Sequence, residues 1–321
     1  MTSNKDFMDL FRECVLCPRA CAVDRASGSN KGFCKESAQL RVAYVGPHFG
    51  EEPPITGTRG SGTIFFTGCS LRCSFCQNRQ ISQNGLGVAV NMEDLLESVE
   101  SMIVKKGVHN VNFVTPDHFF PHVFDLISKL RTRGHSLPML LNLSGYQSVP
   151  SLKLAHAFTD IYLPDFKYSD KDLAATLSGC RDYPDVALSA IREMVDCKGF
   201  LNSLENDTSP ATSGVLVRHL ILPGYVKNSL DALTTLFLEF GSSLPLSIMS
   251  QYCPVIRHDD ERLNRRLGKD EFDLVYMHAL DLGFEHLFVQ IPEEVPSADA
   301  GRSPFVPDFR LDRPFAVPSK D

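Results

Sequence analysis

Short apolar runs alternate with amphipathic stretches along most of this chain, and that alternation narrows the possible folds more than any other feature. Residues 63–67 form a short apolar run of the kind a buried parallel strand shows. Asn91 then caps a helix predicted over 92–106, where Leu95, Leu96, Val99, Met102 and Ile103 recur at helical spacing and Gly107 ends the turn. Further strands are predicted over 111–115, 138–143, 161–167, 215–222, 246–250 and 286–291. Helices are predicted between them over 120–133, 150–158, 186–195, 229–240 and 269–282. Strict alternation implies βαβ crossovers and a parallel sheet. No G-x-G-x-x-G follows the first strand, so an α/β barrel is expected rather than a flat doubly wound sheet.

In such folds the site gathers at the C-terminal ends of the strands. The first strand exits into Thr67-Gly-Cys-Ser-Leu-Arg-Cys-Ser-Phe-Cys-Gln-Asn78, which places Cys69, Cys73 and Cys76 at C-x3-C-x2-C spacing. Thiolates in fours hold iron–sulfur clusters, so a triad leaves one iron of a 4Fe-4S cluster open for chemistry. A partial zinc site or three unrelated thiols is the alternative. The other strand ends read Thr115-Pro-Asp-His118, Asn142-Leu-Ser-Gly145, Asp165-Phe-Lys167, Leu222-Pro-Gly224 and Ser250-Gln-Tyr-Cys-Pro254. Asp165 and Lys167, two residues apart, share a strand face and are expected to pair with each other or with a charged ligand. Gln251 and Tyr252 are substrate-pocket candidates, whereas His219 and the scattered Cys180, Cys197 and Cys253 read as core groups.

A second cysteine group opens the chain: Cys14, Cys17, Cys21 and Cys34 read C-x2-C-x3-C-x12-C. Four thiolates suffice for a structural zinc or for a whole cluster, and a segment this small needs such a staple to fold. Reduced cysteines in a coil are the alternative. The expected organisation is a cysteine-rich metal-binding segment (1–47), a Gly/Pro-rich connection (48–62), the barrel (63–292) and a Pro-rich tail (293–321) that is extended or disordered. The connection is expected to bring His48, Glu51 or Glu52 toward the cysteine loop, or to be a mere linker, and 202–213 reads as a surface loop.

The net charge of -7 argues against a nucleic-acid partner. No run approaches the ~20 apolar residues of a membrane span, and the N-terminus lacks an apolar signal core, so a cytoplasmic location is expected. Ten cysteines there point to metal rather than to disulfides.

The three-cysteine loop, with Phe75 before its last cysteine, resembles the signature of the radical S-adenosylmethionine (radical SAM) superfamily. Within it the chain is similar to the pyruvate formate-lyase activating enzyme branch, and more closely to activase-like proteins with an N-terminal cysteine segment. The stretches that carry this include Cys14-Val-Leu-Cys-Pro-Arg-Ala-Cys21, Gly50-Glu-Glu-Pro-Pro54, Asp160-Ile-Tyr-Leu-Pro-Asp-Phe-Lys167 and Val217-Arg-His-Leu-Ile-Leu-Pro-Gly224. The resemblance implies a partial (β/α)6 TIM-like barrel, a 4Fe-4S cluster on Cys69, Cys73 and Cys76, and SAM cleaved to a 5′-deoxyadenosyl radical that takes hydrogen from an unidentified substrate. It also implies an electron donor such as flavodoxin or ferredoxin. Carried over by position, the family's SAM contacts fall on Asp117, Asn142, Ser144, Asp165, Lys167, Pro223 and Gly224. The Gly-Gly-Glu loop becomes Thr115-Pro-Asp117 and an Asp-Thr-Asn-Gly stretch becomes Asn142-Leu-Ser-Gly145, departures from the activase pattern. The resemblance implies a glycyl-radical enzyme as one substrate, against which these departures count; the second option is radical modification of a small metabolite, peptide or other protein, and a non-catalytic iron–sulfur or metal-binding protein is the reading from another class.

Overall fold

The computed structural model describes residues 7–29, 31–204, 210–291 and 305–315. Its main sheet is built from β1 (Arg41–His48), β2 (Ser61–Phe66), β3 (Val88–Ala89), β4 (Val111–Val114), β5 (Met139–Leu143), β6 (Ile161–Pro164) and β7 (Gly214–Val215), in the order β3-β1-β2-β4-β5-β6-β7. A second sheet holds β8 (Val217–Leu220), β9 (Leu246–Met249) and β10 (Leu287–Val289), in the order β10-β9-β8. Every neighbouring pair from β2 to β7, and both pairs of the second sheet, are parallel. The sheets meet at one seam: Asp165 and Arg218 form an isolated parallel bridge, the Phe166 amide donates to the Arg218 carbonyl (2.8 Å), and the Leu216 amide to that of Tyr162 (3.1 Å). The result is an open α/β barrel, with β3 and β10 at its outer edges.

The connecting helices are α1 (Met92–Lys106), α2 (Phe120–Thr132), α3 (Val149–Ala155), α4 (Lys171–Ser178), α5 (Tyr183–Lys198), α6 (Val226–Phe240) and α7 (Lys269–Leu282). Asn91 caps α1 by accepting the Asp94 amide, and the left-handed Gly107 ends it, as its sequence predicts. Helix α4 lies between the strand predicted to 167 and the helix predicted from 186, where the sequence reading places no element. Its signals are local, with Asp170 accepting the Asp172 and Leu173 amides and left-handed Gly179 closing the last turn, but eight residues show too little periodicity to stand out. Among the described residues no helix is long and apolar enough to cross a membrane.

Two further differences bear on the site. Strand β1 spans the expected junction at residue 47 and pairs antiparallel with β2, from Val42 opposite Phe66 to His48 opposite Ser61. The alternation pattern missed it because its inner and outer residues are both half-apolar. Of the Pro-rich tail, 305–315 lacks regular structure, yet it packs on the barrel mouth. Phe309 and Phe315 join Phe65, Ile81 and Val114 in one apolar cluster, the Phe309 amide donates to Gln80 (2.8 Å), and Gln77 donates to the Phe305 carbonyl (3.3 Å). We call 305–315 the strap. In the predicted surface loop, 205–209 lie outside the described residues; beside them Ala211 is buried and its amide donates to Pro54 (2.8 Å).

Candidate active site

At the C-terminal ends of the parallel strands the chain leaves a cleft of about 200 Å3. Cys69, Cys73 and Cys76 form one side of it; Asp165, Lys167 and Arg218 approach from the strand ends, and Phe305, Pro307 and Phe315 of the strap complete the wall. His48 and Glu51, from the connection, also face this space. Thus the Gly/Pro-rich stretch delivers side chains to the cysteine loop.

The thiols are held in protein rather than in water. Cys69 and Cys73 are buried and Cys76 is partly buried. Burial pushes the Cys69 thiol well up, and the Asp117 carboxylate and the neighbouring Cys73 and Cys76 add to this. Burial and Cys73 likewise raise Cys76, against a hydrogen bond from the Ser82 hydroxyl (3.3 Å). Lys167 stands close enough to Cys73 and Cys76 to feel both: burial lowers its ammonium, but Asp165 and the two sulfurs outweigh that and raise it. Its Nζ donates to Asp165 Oδ2, so the two side chains pair as expected, although β6 ends at Pro164, short of the predicted 167, and the pair forms just beyond it. Arg218 joins this row, donating to Glu51 (2.8 Å) and lying 3.6 Å from Asp165 and 3.7 Å from Glu52.

Other expected contacts are distributed unevenly. Asn142 and Ser144 line the cleft, beside Thr115, whose φ of 54° turns the loop after β4. Asp117 does not: it is fully buried away from the cleft, accepting from Ser70 (2.5 Å), and burial, opposed by Ser70, pushes its carboxyl up to about 6. Pro223 and Gly224 also lie off the cleft, and the Gly224 amide is taken by Glu271 (2.7 Å). Gln251 reaches the cleft, whereas Tyr252 is buried and donates to the Leu263 carbonyl (2.7 Å). His219 is a satisfied core group, with Nδ1 on the Phe166 carbonyl (2.6 Å) and Nε2 on Ser229 (2.9 Å), so the first nitrogen carries the proton and the second accepts one.

The N-terminal segment docks beneath the cysteine loop. Arg19 donates to the Ser70, Ser178 and Gly179 carbonyls at 3.1, 2.7 and 2.6 Å, while its guanidinium lies 3.9 Å over Phe33. Cys21 and Cys34 converge on Gly32, their sulfurs 3.7 and 3.4 Å from where its side chain would begin. Arg25 donates to Cys14 Sγ (3.4 Å), and burial raises Cys34 to about 11, Arg25 opposing and Cys14 adding. Burial, Asp117, Cys34 and Cys14 together push Cys17 up. The four thiols therefore stand near one another. Among the described residues no three His, Cys, Asp or Glu side chains are already drawn to the spacing of a single bound ion.

Both donor sets suit soft-metal chemistry, since thiolates are the ligands of iron–sulfur clusters and of structural zinc. In the cleft the fit is extended by buried Asp165 Oδ1, which has no hydrogen-bond partner among the described residues. What the arrangement offers is three thiols around one cleft, with an ammonium beside them and a buried carboxylate oxygen that is ion-paired to Arg218 but accepts no hydrogen bond among the described residues.

Against known proteins, an uncharacterized protein of Methanocaldococcus jannaschii is 28% identical over 294 residues, which cover 86% of this chain and 78% of that one. Among solved structures, HydG, a maturase of the FeFe hydrogenase, aligns at 13% identity and a TM-score of 0.48, over 71% of this chain and 50% of its own. Streptococcus suis SuiB bound to S-adenosylmethionine aligns at 12% and 0.47, over 70% of this chain and 48% of its own. Methylornithine synthase (PylB) aligns at 14% and 0.41, over 71% and 70%. The sequence model described as the Radical SAM superfamily matches residues 63–194, from β2 into α5. That match covers the stretch that holds Cys69, Cys73 and Cys76, and it makes this part of the chain similar to the radical SAM superfamily.

Proposed function

We propose that this chain is a radical SAM enzyme that holds a 4Fe-4S cluster on Cys69, Cys73 and Cys76, binds SAM beside it, and acts on a small substrate. The observation that carries the reading is the meeting of three thiols with the Asp165–Lys167 pair in one cleft at the strand ends. Bound there, the cluster would supply the electron that cleaves SAM to methionine and a 5′-deoxyadenosyl radical.

The chain's own residues position and shield. Lys167, next to Cys73 and Cys76, offers an ammonium to a carboxylate held near the open iron. Asn142 and Ser144 add an amide and a hydroxyl, and Leu71, Phe75 and Leu220 keep the space apolar, which suppresses quenching by water. Electrons are taken to come from a flavodoxin- or ferredoxin-type donor.

A small substrate is favoured over a protein because the strap lines the cleft. An activase admits a partner's flexible glycine loop through an open barrel side; here Phe305, Pro307 and Phe315 would have to leave first. We further propose that Cys14, Cys17, Cys21 and Cys34 hold a second metal centre, either zinc or an iron–sulfur cluster, that fixes the N-terminal segment against the cysteine loop. Metal analysis separates the two, by iron and sulfide per chain.

The test is anaerobic. After reconstitution with iron and sulfide and reduction by dithionite, SAM should yield 5′-deoxyadenosine with wild type and none with Cys73→Ala. A fully loaded, reducible cluster that gives no product would return the chain to the metal-carrier reading.

A further inference from the structure

Beside the cleft lies a second chamber of about 220 Å3, and we propose that it receives the cationic end of the substrate, a primary ammonium or guanidinium group, against Glu52. Naming the occupant as substrate rests on the small-substrate reading above. The chamber is walled by Glu52 and Pro53 from the connection, Arg218 of β8, Ser247 of β9 and Gln290 just after β10. Gly50, Glu51, Arg218, Met249 and Gln251 line both spaces, so the chamber adjoins the cleft across the Glu51–Arg218 pair.

Charge decides what it accepts. Lys167, Asp165, Arg218, Glu51 and Glu52 form one connected row, three carboxylates against two cations, with a formal excess of one negative charge. None of these side chains is more than 16% exposed. An uncompensated buried charge is costly, and a cation supplied by a ligand removes the excess. The position of that cation is also marked. Glu52 is 8% exposed, its Oε1 stands 3.7 Å from Arg218 Nε, and its Oε2 has no hydrogen-bond partner among the described residues. Gln290 Oε1, of another lining residue, is a second buried acceptor without a partner among the described residues, while Arg218 Nε, a buried donor without a hydrogen bond, is 3.7 Å from Glu52 Oε1. Two unmet acceptors beside a surplus carboxylate suit an ammonium, which brings three donors and no acceptor. They repel a carboxylate or phosphate. A chain running from Glu52 past Met249 toward the cysteines would present a C–H bond at the border between the two spaces.

The test uses reconstituted holoenzyme with SAM present and titrates n-butylammonium, 1-butanol and butyrate by calorimetry. n-Butylammonium is expected to bind at least about tenfold more tightly than 1-butanol, and butyrate more weakly than either. Glu52→Gln should reduce n-butylammonium affinity about tenfold and leave 1-butanol unchanged; Gln290→Leu should act in the same direction. Equal affinity for the amine and the alcohol in wild type overturns the proposal, and so does competition between SAM and n-butylammonium for one site. The wild-type comparison stands even if Glu52→Gln fails to fold. Amine selectivity without any SAM cleavage would sink the radical SAM reading and keep the cation site. SAM cleavage without amine selectivity would sink the cation site alone.

Discussion

Gly68→Ala probes how the N-terminal segment braces the cysteine loop. Gly68 precedes Cys69 with φ +75°, and a Cβ there would lie 2.5 Å from Glu36 Cγ and 2.7 Å from the Cys34 carbonyl oxygen. The left-handed backbone costs alanine about 1 kcal/mol. A clash with a backbone carbonyl has no rotamer escape and adds about 1–3 kcal/mol, for a total of about 2–4 kcal/mol. Gly134→Ala is the control, because its φ is +89° but nothing lies within 4 Å of its Cβ position, so only the backbone cost applies. An unfolding entropy of about 2.1 cal/mol/K per residue makes each kcal/mol worth about 1.5 °C in Tm for a chain of 321 residues. Calorimetric melts should therefore show a fall of about 3–6 °C for Gly68→Ala and about 1.5 °C for Gly134→Ala. Iron taken up on reconstitution should drop only in the former. Equal shifts in the two variants would refute the docking of Cys34 and Glu36 against the loop.

Three further perturbations follow from the site. Asp165→Asn leaves the buried Lys167 without its carboxylate, while Arg218 keeps Glu51 and Glu52, and the lost Lys167 pair should cost about 3–5 kcal/mol in denaturant unfolding; a cost under 1 kcal/mol would mean that Lys167 is solvated. Phe315→Asp removes a ring packed 4.2 Å from His48 and should loosen the strap, speeding exchange of the Asp308 and Phe309 amides about tenfold. Unchanged exchange would show that the strap is held elsewhere. Burial lowers His118 to about 3 and His219 to about 4, so both are neutral in the fold. Their contribution is complete above the ordinary value of 6.5 and is lost as pH falls from there through about 4 and 3. His219→Gln should flatten that acid slope by up to about 1.4 kcal/mol per pH unit between 6 and 4; an unaltered slope counts against a buried neutral ring.

The parallel sheet, α1 and the Asp165–Lys167 pair were legible because each depends on neighbours near in sequence: an apolar run, a cap, a two-residue offset. The cysteine loop was legible for the same reason. What escaped depends on partners far along the chain. Asp117 sits at a strand end, where a site residue belongs, yet Ser70, 47 residues earlier, draws it away from the cleft. Gly224 loses its amide to Glu271 in the same way. Glu51 could be named only as one of several candidates, since its role is set by Arg218, 167 residues later. The strap was read as extended or disordered because proline spacing shows that a segment forms no helix, and says nothing of the aromatic surface that Tyr44 and Phe65 offer to Phe315.

Asp165 and Arg218 carry charge into the cleft, and they also bridge the two sheets. One pair of residues thus serves as electrostatic floor and as mechanical joint. If the row takes up a cationic ligand, as proposed above, the added attraction should hold the two edges more firmly together. Occupancy should therefore be readable far from any reacting atom, as slower hydrogen exchange at the Phe166 and Leu216 amides that span the seam. On that reading the stiffness of the wall would report the loading of the site.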